Sequence, residues 1–127
     1  MADNLRSLVD QLKAVSNPLR LRVLALLGAG EVCVCQVAEA LSVPASSVSE
    51  ALRELRRAGF VTERKEGRWV YVSIPEPSSP LLASLLLEAG SLPETARDRA
   101  RVMKVKGLAV QDICRKQMGK LEEVAHA

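Results

Sequence analysis

The chain has 127 residues, 48% hydrophobic and 26% charged, which suits one compact domain and excludes a disordered chain. Its net charge of +3 is too small to identify a partner, and its single histidine, His126, stands beside the C-terminus, which argues against a histidine-built metal or acid–base centre. Only Phe60, Trp69 and Tyr71 are aromatic, too few for a platform that stacks the bases of single strands.

Leu5, Leu8, Val9, Leu12 and Val15 recur at helical spacing and predict a first helix. Asn17-Pro18 reads as an N-cap followed by proline at the first helical position. The helix it opens carries Leu19, Val23, Leu26 and Leu27 and stops at Gly28-Ala29-Gly30. A short third helix is predicted from Cys33 to Leu41. Ser42-Val43-Pro44 breaks it and starts a fourth, which runs to Ala58 with Gly59 as its C-terminal stop. The period then changes from helical to alternating. Phe60 to Arg64 reads as a strand, Lys65-Glu66-Gly67-Arg68 as a turn, and Trp69 to Ile74 as a second strand with one buried face. Residues 75–80 form the only linker-like stretch. Ser79-Pro80 starts a helix bearing Leu81, Leu82, Leu85 and Leu86. Ser91 and Glu94 have capping-box spacing and open a last helix that the pattern extends to Glu123.

No apolar run approaches the roughly 20 residues that span a bilayer, and no signal-peptide pattern opens the chain. Three cysteines are few and odd in number. They predict a cytoplasmic protein whose thiols stay free unless a metal or a redox signal takes them.

The predicted order is α-α-α-α-β-β-α-α, mainly α with a two-stranded β-hairpin. That is the plan of a winged helix-turn-helix filling residues 1–127 as one domain, with the helix-turn-helix at 33–58 and the wing at 60–74. The first helix (1–15) and the last (92–124) carry apolar stripes with no evident partner in so small a core. Pairing across a two-fold axis is the economical solution, so a homodimer is expected.

The small net charge hides a segregation. Residues 53–68 hold six basic and three acidic side chains, and residues 97–120 hold eight basic and two acidic. Arginines on an exposed helix are often mere solvation. Beside helix-turn-helix punctuation and a hairpin, they instead predict double-stranded DNA as the partner. In such a fold the start of the recognition helix meets base edges in the major groove. The candidates are Ser46, Ser47, Ser49 and Glu50, with Arg53 one turn on, while Val48, Leu52 and Leu55 face the core. Arg64, Lys65 and Arg68 are placed to hold phosphate or enter the minor groove from the wing. The basic last helix is expected to solubilise the outside of a dimer.

Several blocks together resemble the ArsR/SmtB family of metal-sensing repressors. They are Asn17-Pro18-Leu19-Arg20, Glu31-Val32-Cys33-Val34-Cys35, residues 48–55, Ala58-Gly59-Phe60-Val61 and residues 66–71. The resemblance covers about residues 5–90. It implies a cytoplasmic homodimer of winged helices that sits on an operator and is released by metal, with an interface built from the first and last helices. Many members carry a basic residue and a histidine where this chain has Glu50 and Ala51. In the arsenic-responsive branch a Cys-Val-Cys begins this helix, often with a third cysteine three residues on, where this chain has Ala38.

The resemblance therefore implies Cys33 and Cys35 as ligands of arsenite or antimonite. Soft thiolates suit soft ions, and a helix N-terminus favours the thiolate. Trivalent arsenic prefers three sulfurs. The third ligand is open among Cys114, a solvent oxygen and an added small thiol. Cys114 shares a helical stripe with Val110, Met118 and Leu121, so a plain packing role competes with ligation. In an ideal helix, residues i and i+2 point about 200° apart, so the segment must be extended or distorted around Cys33 for the pair to chelate, and binding is expected to pull the helix start out of line and disturb the helix-turn-helix behind it. Other readings are a thiol-redox or a cadmium- or lead-responsive repressor of the same fold, a non-DNA winged-helix module, and a small thiol enzyme. The enzyme reading lacks an anion-cradling glycine-rich loop after any cysteine.

Overall fold

The computed structural model describes residues 4–114. Helix α1 spans Leu5–Val15 and is capped by Asn4, whose side chain accepts from the Ser7 N–H at 2.9 Å. Helix α2, Pro18–Leu26, begins as predicted: Asn17 accepts from the Arg20 N–H at 3.0 Å and Pro18 occupies the first turn. A single 3-10 turn continues it to Ala29, and Gly30 leaves at φ 103°. Val23, Leu24, Ala25 and Leu26 are all buried, so the C-terminal half of α2 is enclosed on every side and forms the centre of the fold.

Strand β1 is only Val32–Cys33, and helix α3, Val34–Leu41, follows at once. Ser42 turns the chain in the left-handed region, and α4, Ala45–Arg57, begins after Pro44. Helix α4 buries Val48, Ala51, Leu52 and Leu55 against α2 and α3, and turns Arg53, Arg56 and Arg57 outward. The Phe60 N–H donates to Leu55 O beyond Gly59, and Phe60 and Val61 are buried before the sheet begins. Strands β2 (Thr62–Glu66) and β3 (Trp69–Ser73) form a hairpin closed by Gly67-Arg68, with Gly67 at φ 62°. Helix α5 is Pro80–Gly90, capped by Ser79, and α6 is Pro93–Lys106.

The winged helix-turn-helix is therefore present, with these differences from the sequence reading. First, the sheet has three strands in the order β1-β3-β2, not two. Two residues are too few to show a period, so β1 was invisible as a pattern. Second, the hairpin turn is tighter than expected and β2 starts at Thr62, because Phe60 and Val61 are spent on the core. Third, Ser91 is the C-cap of α5 and not the N-cap of the last helix. Its hydroxyl donates to Leu87 O at 2.6 Å, and Leu92 and Pro93 begin α6 instead. Fourth, the last helix, expected to run unbroken over 92–124, stops at Lys106; a new helical stretch occupies 110–114.

Helix α6 also has an internal partner, contrary to the expectation for a leftover helix. It packs on α2 and α3 through Val102 and Val105, and the carboxylate of Asp98, 2% exposed, accepts from Arg22 Nε and Nη2, each at 3.0 Å. The Asp98–Arg22 pair adds a polar tie between α6 and the central helix that an apolar-stripe search cannot see. Helix α1 does keep an uncovered stripe: Leu5, Leu8, Val9 and Leu12 are exposed, and only Gln11, Ala14 and Val15 are buried. His126, Met118, Leu121 and the rest of the predicted last helix beyond 114 lie outside the described residues.

Candidate thiol cluster and nucleic-acid interface

Cys33 is the last residue of β1 and the N-cap of α3, with extended dihedrals of φ −79° and ψ 147°. Its N–H donates to Gln36 Oε1 at 2.9 Å, which seals the first turn of the helix. Cys35 is the second residue inside α3. One cysteine is thus extended and the other helical, so the 200° divergence of an ideal i, i+2 pair does not apply. The sequence reading required an extended or distorted segment at Cys33, and the extended alternative is the one present: the helix begins one residue later than predicted, and both sulfurs converge.

The third sulfur comes from the same chain. The helical stretch at 110–114 delivers Cys114 onto the first turn of α3, with Cα–Cα 5.2 Å to Cys35. The Sγ atoms of Cys33, Cys35 and Cys114 all lie within 4.8 Å of one another. Cys33 and Cys114 are buried and Cys35 is half-buried. Cys35 and Cys114 are joined as a disulfide, and Cys33 is free. This pair is the redox exception that the free-thiol expectation allowed, and its Cα separation falls in the normal disulfide range. In reduced form the same three residues offer three soft donors to one ion, the donor set that trivalent arsenic and antimony prefer.

The cluster forms one wall of a cleft of about 510 Å³. Ser49, Leu52, Arg53 and Arg56 of α4 form a second wall, and Glu63, Arg68, Trp69 and Val70 of the hairpin a third. Arg56 is paired with Glu63, and the Arg68 guanidinium stacks over the Trp69 ring at 4.8 Å. Of the residues expected to contact DNA, Ser49, Arg53 and Arg68 line this cleft, and Glu50 lines a separate groove. Ser46, Ser49, Glu50 and Arg53 are exposed on α4, and Lys65 and Arg68 are exposed at the wing tip. Ser47 is half-buried in that separate groove, with Asn17 and Arg20.

Arg64 stands apart from the other wing cations. Its Nε and Nη2 donate to the two carboxylate oxygens of Glu31 at 2.8 and 2.7 Å, and its Nη1 donates to Glu66 at 3.2 Å. Its guanidinium also lies over the Tyr71 ring at 4.6 Å. The hydrogen bonds from Arg64 hold the Glu31 carboxyl below its usual range, and the two carboxylates raise Arg64 in return. Burial pushes the Tyr71 phenol up, and the neighbouring Cys33 and Glu66 add to that shift. Sequence reasoning missed Glu31, Gln36 and Glu63 at this site. Only Gln36 had a local signal, a cap residue followed three positions later by glutamine.

Comparison with known proteins fits this geometry. The family described as "Bacterial regulatory protein, arsR family" matches residues 17–63, from the cap of α2 into β2. A putative arsenical resistance operon repressor of Halobacterium salinarum is 36% identical over 86 residues, 66% of this chain and 72% of that protein. The chain belongs to the ArsR family. The "Transcriptional repressor SmtB homolog" of Synechocystis is 38% identical over 74 residues, 58% of this chain and 56% of its own length. Among solved structures, HlyU from Vibrio cholerae superposes with a TM-score of 0.59 at 32% identity, covering 69% of this chain and 92% of that one. This ArsR-family chain is thus a winged-helix protein of a family of DNA-binding transcriptional regulators. No helix among the described residues is long and apolar enough to cross a membrane.

Proposed function

We propose that this chain is a cytoplasmic, metalloid-responsive repressor that binds operator DNA as a homodimer and lets go when arsenite or antimonite binds Cys33, Cys35 and Cys114. The observation that carries the reading is the convergence of three sulfurs within 4.8 Å on a cleft walled by the recognition helix and the wing. Ser46, Ser47, Ser49, Glu50 and Arg53 face the groove, and Lys65 and Arg68 hold phosphate from the wing. The uncovered stripe of α1 supports the dimer; glutamate at Leu8 and Leu12 shifts sedimentation to the monomer if α1 is its interface.

A second reading has its own observation, the Cys35–Cys114 disulfide. Here a peroxide takes two electrons and two protons from the two thiols, leaving the disulfide and water, and the oxidised form leaves the operator. The two readings differ at Cys33, which only the metalloid needs. The test is fluorescence anisotropy of reduced protein on DNA from its own upstream region, titrated with arsenite and separately with peroxide. Release by arsenite that is lost in Cys33→Ser supports the metalloid reading. Release by peroxide that survives Cys33→Ser, with no response to arsenite, supports the redox reading instead. Loss of operator binding by Cys33→Ser without any effector marks that cysteine as structural and refutes its sensing role.

A further inference from the structure

Cys33, Tyr71 and Arg64 stand in one row across the three-stranded sheet. Cys33 of β1 is opposite Tyr71 of β3, and Tyr71 is opposite Arg64 of β2. Directly opposed residues of antiparallel strands project from the same face. Glu31, two residues before Cys33, stands just ahead of β1. The Arg64 side chain crosses over the Tyr71 ring and closes on Glu31 with two hydrogen bonds. It spans all three strands and ties the thiol-bearing strand to the outermost strand of the wing. No other ion pair among the described residues joins β1 to the wing: Arg56–Glu63 links α4 to β2, and Arg22–Asp98 links α2 to α6.

We infer that Glu31 and Arg64 are positioning residues that carry inducer binding at Cys33 to the wing, and that Arg64 serves this strap rather than a DNA phosphate. The inference rests on the proposed function. Two carboxylates already compensate Arg64, so it brings less charge to DNA than Lys65 or Arg68. Strand β1 holds the sheet by only two residue pairs, so a displacement of Cys33 reaches the hairpin along few routes, of which the bidentate pair is the one that crosses to β2. Coupling between sites is a difference between two states, so the strap is tested by how much the inducer changes operator affinity, not by operator affinity itself.

The experiment uses full-length reduced protein, its operator fragment and arsenite. Metalloid binding is read directly from the ultraviolet thiolate–arsenic absorbance without DNA, and operator Kd is measured with and without saturating arsenite. Glu31→Gln, Arg64→Gln and the double variant bind arsenite like wild type, while the fold-weakening of operator binding by arsenite shrinks about fivefold in each. The double variant is no worse than either single one, because each alone already opens the strap. Circular dichroism confirms folding, and Arg64→Lys, which keeps the charge without the fork, restores only part of the coupling. A full arsenite response in Glu31→Gln, or additive losses in the double variant, overturns the strap alone. Arsenite-indifferent operator binding by wild type overturns the metalloid reading and the strap with it.

Discussion

The Cys35–Cys114 disulfide closes a loop with a sequence separation of 79 residues, and that length sets what opening it costs. In the chain-entropy description a closure of this size removes about 15 cal/mol/K from the unfolded ensemble, which is about 4.5 kcal/mol at 25 °C. Residual structure in the unfolded chain takes part of this back, so the difference between oxidised and reduced protein is expected at about 2–4 kcal/mol. With a urea dependence of about 2 kcal/mol/M, the midpoint falls by about 1–2 M on reduction. Equilibrium urea unfolding is followed by helix circular dichroism with and without reductant, on wild type and on Cys114→Ser. Cys114→Ser should unfold at a single midpoint under both conditions. A reductant effect of equal size in Cys114→Ser, or none in wild type, refutes both the pairing of these sulfurs and the loop argument.

Arg68→Ala should weaken operator binding and lower the slope of log Kd against log salt by about 0.9 for each phosphate that the wing no longer neutralises, as read from anisotropy across a salt series. Asp98→Asn leaves Arg22 without its carboxylate where α6 meets α2. Because Arg22 is about one-third exposed and recovers some hydration, the cost is about 2 kcal/mol in chemical denaturation, short of a fully buried pair. The carboxyl of Glu31 titrates lower when folded than when unfolded, so its pair with Arg64 stabilises above pH 4.5 and that contribution disappears as pH falls through the depressed value. Glu31→Gln should therefore flatten the acid limb of a plot of unfolding midpoint against pH and leave its neutral part almost level.

Capping and periodicity made most of this fold legible. Asn17-Pro18, Ser79-Pro80 and the alternation from Trp69 to Ile74 each carry their own geometry in a few adjacent residues, and each element appears where those residues put it. What stayed hidden depends on distant partners. Strand β1 exists because Val32 and Cys33 find Val72 and Tyr71. Helix α6 docks where Val102 and Val105 enter the core and Asp98 finds Arg22, 76 positions earlier. The cysteine motif was visible, but its geometry was not, because whether Cys33 is the first helical residue or the cap before it turns on the hydrogen bond from its N–H to Gln36. Arg64 looked like any other wing cation until Glu31 was seen beside it.

The extended backbone at Cys33 bears on affinity as well as on shape. A site assembled by unwinding a helix charges every binding event for the turns it breaks, and its affinity falls with the stability of that helix. Here the bend between strand and helix is already part of the resting backbone, held by Gln36 and by pairing with β3. The backbone bend at Cys33 is preorganised, so the cost of leaving the helical conformation there is met at folding and not again at each encounter. Mutations that stabilise α3 should therefore leave inducer affinity untouched, whereas those that loosen the two-residue strand in front of it should weaken it.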